Sequence, residues 1–405
     1  MKKNTLLIFS LLLFYLYPAF ASVEVRSNKL TTGDGLANNS IRYMSQDSKG
    51  FIWLGTLNGL SYYVNIYPDI HNPLSLADSR IRSIEEDPNG FLWISTISSF
   101  ISCYDLRHGR FVDFTGCNEY KENYSKFFIT SDNSVWLWHN QNGCRRIVYQ
   151  DGKFSSQTYK KELGNLPSDR VQFVLESAKG EVWIGTRKGL LKYRNGQTDN
   201  LDPQSQSWEH IIAYNQYTCI ITDKNEIYRH TYSTDKLEKV GSLAASFDDN
   251  SRVTGNFLLA DKWVLFTANG SYLLDIPTGK LSRYSDLNIK NGAVTKDNKK
   301  NVWVHNYTGH LWYVDVTTGN IKPFQFLSSE HIGYIDVERY SIVHDSRDII
   351  WITTYGNGLY AYELATGDLQ HFTFDIGQSS HINSNYLQYV MEDRSGGIWV
   401  SSEFS

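Results

Sequence analysis

The sequence predicts an all-β fold, a β-propeller of four-stranded antiparallel blades. A motif built around a tryptophan returns about every 43 residues, which is the period of one propeller blade. Aromatic residues make up 14% of the 405 residues, and such side chains suit half-buried, pleated surfaces. Glycine is frequent, at 29 residues, and proline is scarce, at 8, as expected of many strands joined by tight turns.

Nine copies of the motif can be aligned on this tryptophan. Seven copies keep it and two degenerate copies replace it, so that the aligned positions are Trp53, Trp93, Trp136, Trp183, Cys219, Val264, Trp303, Trp351 and Trp399. A single four-stranded sheet cannot bury both of its faces, so neighbouring copies must stack around an axis. We therefore interpret the repeated tryptophan as filling between blades rather than as a series of binding platforms.

The copies before the last one indicate four strands in the same order. The first strand opens with an apolar residue twelve positions before the tryptophan, as at Ile41, Ile81, Val171 and Leu387. An Asp six positions before the tryptophan and a Gly three positions before it predict a hairpin turn, because the carboxylate accepts backbone N–H groups and Gly tolerates positive φ. A Thr or Ser three positions after the tryptophan ends the second strand. A following Gly begins the third, and a Thr-Gly turn leads to the fourth.

Nine copies predict more than one ring, because propellers typically have about four to eight blades. We expect a seven-bladed propeller over residues 22–328, with a link at 327–339, and the first two blades of a second propeller over 329–405. The last copy ends after its second strand, which would leave an unpaired edge, so we expect a longer protein. Residues 23–30 predict a further strand that could close a ring.

The first 21 residues predict a secretory signal peptide. Lys2 and Lys3 precede an apolar run from Leu6 to Tyr17, and the run is followed by a small-residue cleavage site at 19–21. The alternative is a membrane-anchoring helix, which the run disfavours because a span needs about 20 apolar residues. The mature chain is therefore expected to be exported.

Charge and composition limit the classes of partner and chemistry. The formal net charge is −4 and no basic stripe is present, so a nucleic acid partner is not expected. No HExxH, HxH, CxxC or GxSxG segment occurs, so neither a metal nor a cofactor is predicted. Four cysteines favour buried thiols, with at most one disulfide among Cys103, Cys117 and Cys144, while Cys219 lies further along the chain.

The stretch LTTGDGLANNSIRYMSQDSKGFIWLGTLNGLSYY, which begins at Leu30, resembles the two-component regulator propeller repeat. The same pattern returns in LPSDRVQFVLESAKGEVWIGTRKGLLKY and INSNYLQYVMEDRSGGIWVSS. The resemblance implies the periplasmic sensor region of a hybrid two-component regulator from a glycan-degrading bacterium, with two consecutive seven-bladed propellers. It also implies a membrane segment and a histidine kinase beyond residue 405, and we expect a homodimer. The chain itself has no kinase motif and is not expected to be an enzyme.

Residues that precede or open the first strand of a copy should lie at the mouth of the central channel. In the clearest copies they are polar: Ser40, Arg42, Arg80, Arg82, Arg170, Gln172, Tyr386 and Gln388. The resemblance implies an oligosaccharide as the signal, and converging arginines favour an acidic or sulfated one. Alternatively, these arginines pair with acidic neighbours such as Glu85, Glu86 and Glu176, or face solvent.

Two further alternatives stay open. Trp208 lies off the repeat position and is the best single candidate for stacking on a sugar, or else a core residue that compensates for Cys219. The alternative function is a secreted lyase or hydrolase acting on a glycan or a cyclic ester. The repeat style also resembles streptogramin lyase, and paired carboxylates on propeller loops could cleave glycosidic bonds.

Overall fold

A computed structural model of the chain describes residues 25–403, except 63, 70, 73, 116–122, 178–179, 203–205, 285–288, 307–309, 317, 325–340 and 376–381. The described residues form nine antiparallel sheets. Eight of these sheets have four strands in sequential order, and the ninth has two. We call each sheet a blade and number the blades in chain order. The predicted signal peptide lies outside the described residues.

The strands of each blade follow one another in chain order. Blades 1 to 4 consist of β1 (Ile41–Gln46), β2 (Ile52–Thr56), β3 (Gly59–Ser61), β4 (Asn65–Ile66), β5 (Ile81–Glu86), β6 (Phe91–Thr96), β7 (Ile101–Asp105), β8 (Arg110–Phe111), β9 (Lys126–Ile129), β10 (Val135–His139), β11 (Gly143–Gln150), β12 (Lys153–Tyr159), β13 (Val171–Glu176), β14 (Val182–Thr186), β15 (Gly189–Arg194) and β16 (Gln197–Asn200).

Blades 5 to 8 consist of β17 (Trp208–Tyr214), β18 (Tyr217–Thr222), β19 (Glu226–Thr231), β20 (Lys236–Ser242), β21 (Gly255–Leu259), β22 (Lys262–Phe266), β23 (Ser271–Asp275), β24 (Leu281–Arg283), β25 (Ala293–Lys296), β26 (Val302–His305), β27 (Leu311–Val314), β28 (Ile321–Phe324), β29 (Ile342–His344), β30 (Ile349–Thr353), β31 (Leu359–Glu363) and β32 (Leu369–Phe372). Blade 9 consists of β33 (Leu387–Glu392) and β34 (Ile398–Ser402). One short helix, α1 (Leu243–Phe247), and the 3-10 turns Thr32–Asp34 and Lys161–Leu163 lie outside the sheets.

The strand limits agree closely with the sequence prediction. The first strands of blades 1, 2, 4 and 9 open at the four predicted apolar residues. Asp47 Oδ1 accepts the backbone N–H groups of Lys49 and Phe51, both at 2.9 Å, and Gly50 has a φ of 93°. The predicted Asp-Gly hairpin turn is therefore confirmed, together with the all-β fold and its four-stranded blades.

The repeated tryptophans fill the spaces between blades, as predicted. Trp53 packs with Ile81 and Ile84 of blade 2, and Trp351 packs with Leu387 of blade 9. The six from Trp53 to Trp351 are at most 3% exposed, and Cys219 and Val264 are fully buried in their places. Cys103, Cys144 and Cys219 are buried free thiols, whereas Cys117 lies outside the described residues.

The blades form one closed ring. β33 contacts β29 and β30 on one side and β1 on the other, and β1 in turn contacts β5. At the seam between blades 9 and 1, Met391 and Trp399 pack against Met44 and Leu54. The predicted seven-bladed ring followed by the start of a second ring is therefore wrong, because eight complete blades and a two-stranded ninth share a single ring.

The sequence could not reveal this closure because the seam uses the same apolar residue types as every other interface. The predicted boundary at residues 328 and 329 and the whole of the predicted link at 327–339 lie outside the described residues and stay a prediction. The predicted strand at 23–30 is not present in its described part, 25–30, which has no strand geometry. Val25 instead packs against the core between blades 8 and 9.

Candidate functional site

The candidate site lies around the central channel, where the innermost strands of the blades converge. A cavity of about 850 Å³ is lined by residues of blades 1, 2, 7, 8 and 9. Three of the predicted site residues line it: Arg42, Arg82 and Gln388. Each is the second residue of an innermost strand, so the ring brings equivalent positions of different copies to one axis.

Arg42 and Gln388 meet across the seam between blades 1 and 9. Arg42 Nη1 donates to Gln388 Oε1 at 3.3 Å, and Arg42 Nη2 donates to Glu403 Oε1 at 2.6 Å. Gln388 Nε2 donates to the second oxygen of the same carboxylate at 3.0 Å. The side chain of Arg42 is 26% exposed and that of Glu403 is 12% exposed, so this cluster is partly open to the channel. The Glu403 carboxylate thus holds the Arg42 guanidinium and the Gln388 amide side by side, where they can form hydrogen bonds with a polar ligand.

Arg82 differs from Arg42 in having no carboxylate partner. Its side chain is exposed in the cavity beside Ile97, and no ion pair joins it to another residue of the described part of the chain. A guanidinium that is free of carboxylates can bind a carboxylate or a sulfate through two parallel hydrogen bonds. Arg82 is therefore able to receive an anionic group, as is Lys296, an exposed cation of the same cavity that has no ion pair among the described residues.

Two tyrosines follow Arg42 and Gln388 along their strands. The rings of Tyr43 and Tyr389 lie 5.0 Å apart, centroid to centroid, across the seam, and Tyr389 lines the channel cavity. Burial raises the pKa of Tyr389 well above its ordinary value and also raises the pKa of Tyr43. Both phenols are therefore neutral near pH 7 and act as polar, aromatic surface rather than as acids.

The acidic neighbours named above do not neutralise the arginines. Glu86 accepts hydrogen bonds from the backbone N–H and the hydroxyl of Ser48 in the first turn of blade 1. Glu176 makes the same contacts with Ser131 of blade 3. Both glutamates therefore join neighbouring blades through hydrogen bonds. Within the described ranges, neither of them nor Glu85 forms an ion pair with an arginine.

Arg170 lies in a second depression on the ring, formed by blades 3, 4 and 5. This depression measures about 1030 Å³, and its charged lining is Lys161, Asp169, Arg170, Arg187, Lys188, Glu209 and Asp223. No ion pair engages any of its four cations among the residues that the structure places. Gln172 is half-buried in β13 and lines neither cavity.

The remaining predicted residues have different environments. Arg80 lies outside both cavities, donates to Ser98 Oγ at 3.0 Å and has its Nε 3.7 Å from Asp78. Tyr386 is 45% exposed and meets the ring of Tyr355 edge-on at 5.1 Å. These two tyrosines form an aromatic pair in which Tyr386 is exposed and Tyr355 is half-buried, and sequence reasoning identified only Tyr386.

Trp208 is a correction to the predicted site. It is 1% exposed, its Nε1 donates to Asp202 Oδ2 at 2.8 Å, and it packs with Trp183 between blades 4 and 5. No face of its indole is available for stacking on a sugar. The alternative interpretation as a core residue is confirmed, because burial of the indole serves packing.

Sequence reasoning missed a second set of residues at the channel mouth. Each directly follows the Thr or Ser that ends the second strand of its copy: Ile97, Arg187, Asp223 and Glu403. The loop that follows this strand and the connection that precedes the first strand of the blade reach the same face of the ring. The regular position of the Thr or Ser was the signal that could have identified these residues.

Residues 35–58 and 75–98 match the family described as two component regulator propeller. These two segments are therefore similar to two-component regulator propeller repeats. The matched segments contain β1, β2, β5 and β6, and with them Arg42, Arg80 and Arg82. No curated protein gives a significant match to the sequence.

Several solved structures are similar to this propeller in fold. One, described as the extracellular domain of a one component system, BT4673, from B. thetaiotaomicron, has 18% identity and a TM-score of 0.43 over 90% of this chain. The chain spans 56% of the length of that structure. The computationally designed Ika8 protein has 12% identity and a TM-score of 0.50, with 80% of this chain and 96% of that one covered.

Virginiamycin B lyase from Staphylococcus aureus, in a catalytically inactive form, has 15% identity and a TM-score of 0.45, with 68% of this chain and 92% of that one covered. At such identities the similarity concerns the fold alone. In the part of the propeller that the structure describes, no group of three or more His, Cys, Asp or Glu side chains is arranged to hold a metal ion. Nor does any helix there have the length and apolar character needed to cross a membrane.

Proposed function

We propose that this chain is the ligand-sensing propeller region of a hybrid two-component signalling protein in the periplasm. We further propose that its signal is an oligosaccharide that carries carboxylate or sulfate groups. The two-component regulator propeller repeats support the signalling role. The observation that carries the choice of ligand is the channel mouth, where Arg82 has no carboxylate partner beside the Arg42, Gln388 and Glu403 cluster.

The polar groups around the channel suit a sugar. The Arg82 guanidinium can bind a carboxylate or sulfate, while the Gln388 amide and the Glu403 carboxylate can exchange hydrogen bonds with hydroxyl groups. The exposed Tyr386 and the half-buried Tyr355 provide aromatic surface between blades 8 and 9, on which a sugar ring can stack. Arg170 lies in the second depression and would bind another part of a long ligand.

Signalling requires that ligand binding in this region changes the conformation of another part of the protein. In our proposal the chain works as a homodimer, and a membrane segment and a histidine kinase follow residue 405. Because propeller blades are packed sheets, a bound ligand is expected to shift an interface between rigid bodies rather than to deform a blade. Binding at the seam between blades 9 and 1 would act on the contact that closes the ring.

Calorimetric titration of the mature chain tests the proposal. Three oligosaccharides of equal length should be compared, one sulfated, one containing uronic acid and one neutral. We expect an anionic sugar to bind, with an affinity that falls as salt rises, because surface charge pairs are screened. Arg82→Ala should weaken binding about tenfold or more, since a charge-assisted hydrogen bond is lost.

Arg80→Ala is the matched control, because Arg80 lies two residues before Arg82 in the sequence but lines neither cavity. It should leave the affinity unchanged. If none of the three sugars binds, or if Arg82→Ala and the parent chain bind equally, the proposed ligand site is wrong. Cleavage of a bound sugar would overturn the sensor role and support the lyase or hydrolase alternative.

A further inference from the structure

The rim of blade 4 places two arginines side by side in the second depression. β13 and β14 pair Val171 with Thr186, and just beyond this pair the backbone N–H of Arg187 donates to the carbonyl of Arg170 at 3.0 Å. Cross-strand neighbours have Cβ atoms about 4.5–5.5 Å apart on one face of a sheet. Both arginine side chains are exposed and line the depression of about 1030 Å³. Two guanidinium groups are therefore held next to each other.

The same main-chain hydrogen bond forms at the rim of four other blades, in each case without two like charges. It joins Leu57 to Ser40, Ile97 to Arg80, Asp223 to Ser207 and Glu403 to Tyr386. Like charges directly opposite each other in a sheet are destabilising. The packing of the propeller therefore does not require the arginine pair of blade 4, because the same rim forms elsewhere without one.

Blade 2 shows how a single arginine at this rim is neutralised. A carboxylate oxygen of Asp78 lies 3.7 Å from Arg80 Nε, and Ser98 Oγ accepts a hydrogen bond from Arg80 Nη2 at 3.0 Å. Counted from the repeated tryptophans, the positions of Asp78 and Ser98 are occupied in blade 4 by Ser168 and Lys188. Blade 4 therefore has a hydroxyl in place of the acid and a third cation in place of the serine.

The acids that line the second depression do not pair with these cations. Asp169 Oδ1 accepts the backbone N–H of Lys161 at 2.7 Å, and Glu209 Oε2 lies 3.6 Å from the Nε of Arg252, which does not line the depression. Asp223, on blade 5, is exposed and forms no ion pair with any residue that the structure places. Unpaired positive charge therefore accumulates on the blade 4 side of the depression, and blade 5 contributes one free carboxylate.

We propose that Arg170 and Arg187 form a binding site for a sulfate or phosphate monoester group. Such a group has three terminal oxygens on one centre, so two guanidinium groups can donate to it together, whereas one guanidinium satisfies both oxygens of a carboxylate. Lys188 adds a third positive charge, and Asp223 can accept a hydrogen bond from a hydroxyl of the molecule that carries the ester. This site lies beyond the proposed channel site, and the two cavities share no lining residue.

Three sugars that differ in their anionic group test this site on the full chain. Glucose 6-phosphate, glucose 6-sulfate and glucuronate carry a phosphate ester, a sulfate ester and a carboxylate. Broadening of the phosphorus NMR line of glucose 6-phosphate measures its binding, and competition against it ranks the other two sugars. We expect at least one ester to bind about tenfold more tightly than glucuronate, because it engages both arginines. The tighter ester identifies the source of the group, and glucuronate binding as tightly as both esters would overturn the proposal.

Variants that each remove one positive charge separate the arginine pair from general electrostatic attraction. Arg170→Gln and Arg187→Gln should each weaken ester binding about tenfold or more, because charge-assisted hydrogen bonds are lost. Lys224→Gln is the matched control, since Lys224 is exposed beside Asp223 in the sequence but lines neither cavity. It should leave the affinity unchanged. Equal binding by Arg187→Gln and the parent chain, or an equal loss in Lys224→Gln, would decide against the site.

Arg187→Glu provides a second measurement that needs no ligand. It replaces the repulsion between the two arginines with an attraction to Arg170, so the midpoint of thermal unfolding should rise slightly while ester binding is lost. A lower midpoint would show that the two side chains do not face each other across the rim.

The channel site is separated from this one by repeating the titrations with Arg82→Ala, which removes a cation of the channel cavity only. Ester binding that survives Arg82→Ala and is lost in Arg187→Gln supports the site on blade 4. Binding that is lost in Arg82→Ala and kept in Arg187→Gln overturns it and leaves the proposed channel site standing.

Discussion

Ser177 occupies the position from which an aspartate would accept the indole N–H of Trp183, and Trp183 Nε1 is buried without an acceptor among the described residues. In blade 1 the equivalent pair is complete, since Trp53 Nε1 donates to Asp47 Oδ2 at 2.8 Å. The same bond recurs at Trp93, Trp303, Trp351 and Trp399. The aspartate of the repeat therefore has two functions, one in the turn and one in holding the indole.

Replacing these tryptophans with phenylalanine should lower the free energy of unfolding by unequal amounts. Trp53→Phe leaves one oxygen of the buried Asp47 carboxylate without its partner, whereas Trp183→Phe removes a donor that has no acceptor. We expect Trp53→Phe to lower the free energy of unfolding by about 1–2 kcal/mol more than Trp183→Phe. Urea unfolding of the two variants measures this difference. Equal losses would show that the indole hydrogen bond contributes nothing to stability.

The carboxylate of Asp393 should make the seam sensitive to acid. Burial acts to raise its pKa, but hydrogen bonds from Ser395, Trp399 and Gly397 outweigh it and lower the pKa to about 2. Since the pKa is lower in the folded state, its stabilising effect is present above about pH 4, the ordinary value for Asp, and is lost as the pH falls towards 2. Thermal unfolding between pH 4 and pH 2 should show this loss. Asp393→Asn should flatten that part of the profile, and an unchanged profile would contradict the assignment.

Glu403 should stabilise the closed ring. Glu403→Ala removes the acceptor of Arg42 Nη2 and Gln388 Nε2, and both groups are partly buried at the seam. We expect a loss of about 1–3 kcal/mol in the free energy of unfolding, the range for hydrogen bonds to charged groups. Hydrogen exchange should become faster in β1 and β33 before other strands change. Arg80→Ala, an exposed site outside the seam, should change stability by no more than about 0.5 kcal/mol.

Gly185 should be intolerant of any side chain. A Cβ at this position would lie 2.2 Å from a ring carbon of Phe173, within the tightly packed pair β13 and β14. Gly185→Ala is expected to cost about 1–3 kcal/mol, because Phe173 must shift in a packed core. Gly241→Ala is the matched control, since its Cβ would meet nothing closer than 3.4 Å. If both variants unfold at the same urea concentration, the close approach is not a constraint.

The strands and turns of a blade could be predicted from the sequence because the residues that begin, turn and end its strands lie close together in the chain. Ile41 opens β1, Asp47 and Gly50 make the turn, and Thr56 ends β2, all within sixteen residues. Hydrogen bonds and side-chain alternation over such short distances depend little on the rest of the chain. The seam between blades 9 and 1 could not be predicted, because the contacts of Met44 with Met391 and Trp399 depend on how many blades complete the ring.

The candidate site was predictable in part for the same reason. Periodicity placed Arg42, Arg82 and Gln388 at one strand position, and the ring brought them to one channel. It could not show that Glu403 would bridge two of them, since that contact joins residues 361 apart in sequence. Trp208 was ambiguous because a tryptophan outside the repeat position can be exposed or buried, and only packing between blades 4 and 5 decides which.

The contact between blades 9 and 1, which closes the ring, has a mechanical consequence. Blades 9 and 1 share no β-ladder among the described residues, and their union depends on side chains such as Arg42 with Glu403 and Arg394 with the Asp47 carbonyl. The two sides of this joint can therefore separate without breaking any strand pair. The other neighbouring blades also share no β-ladder among the described residues, but the chain itself runs from each to the next, whereas blades 9 and 1 meet only through such side-chain contacts.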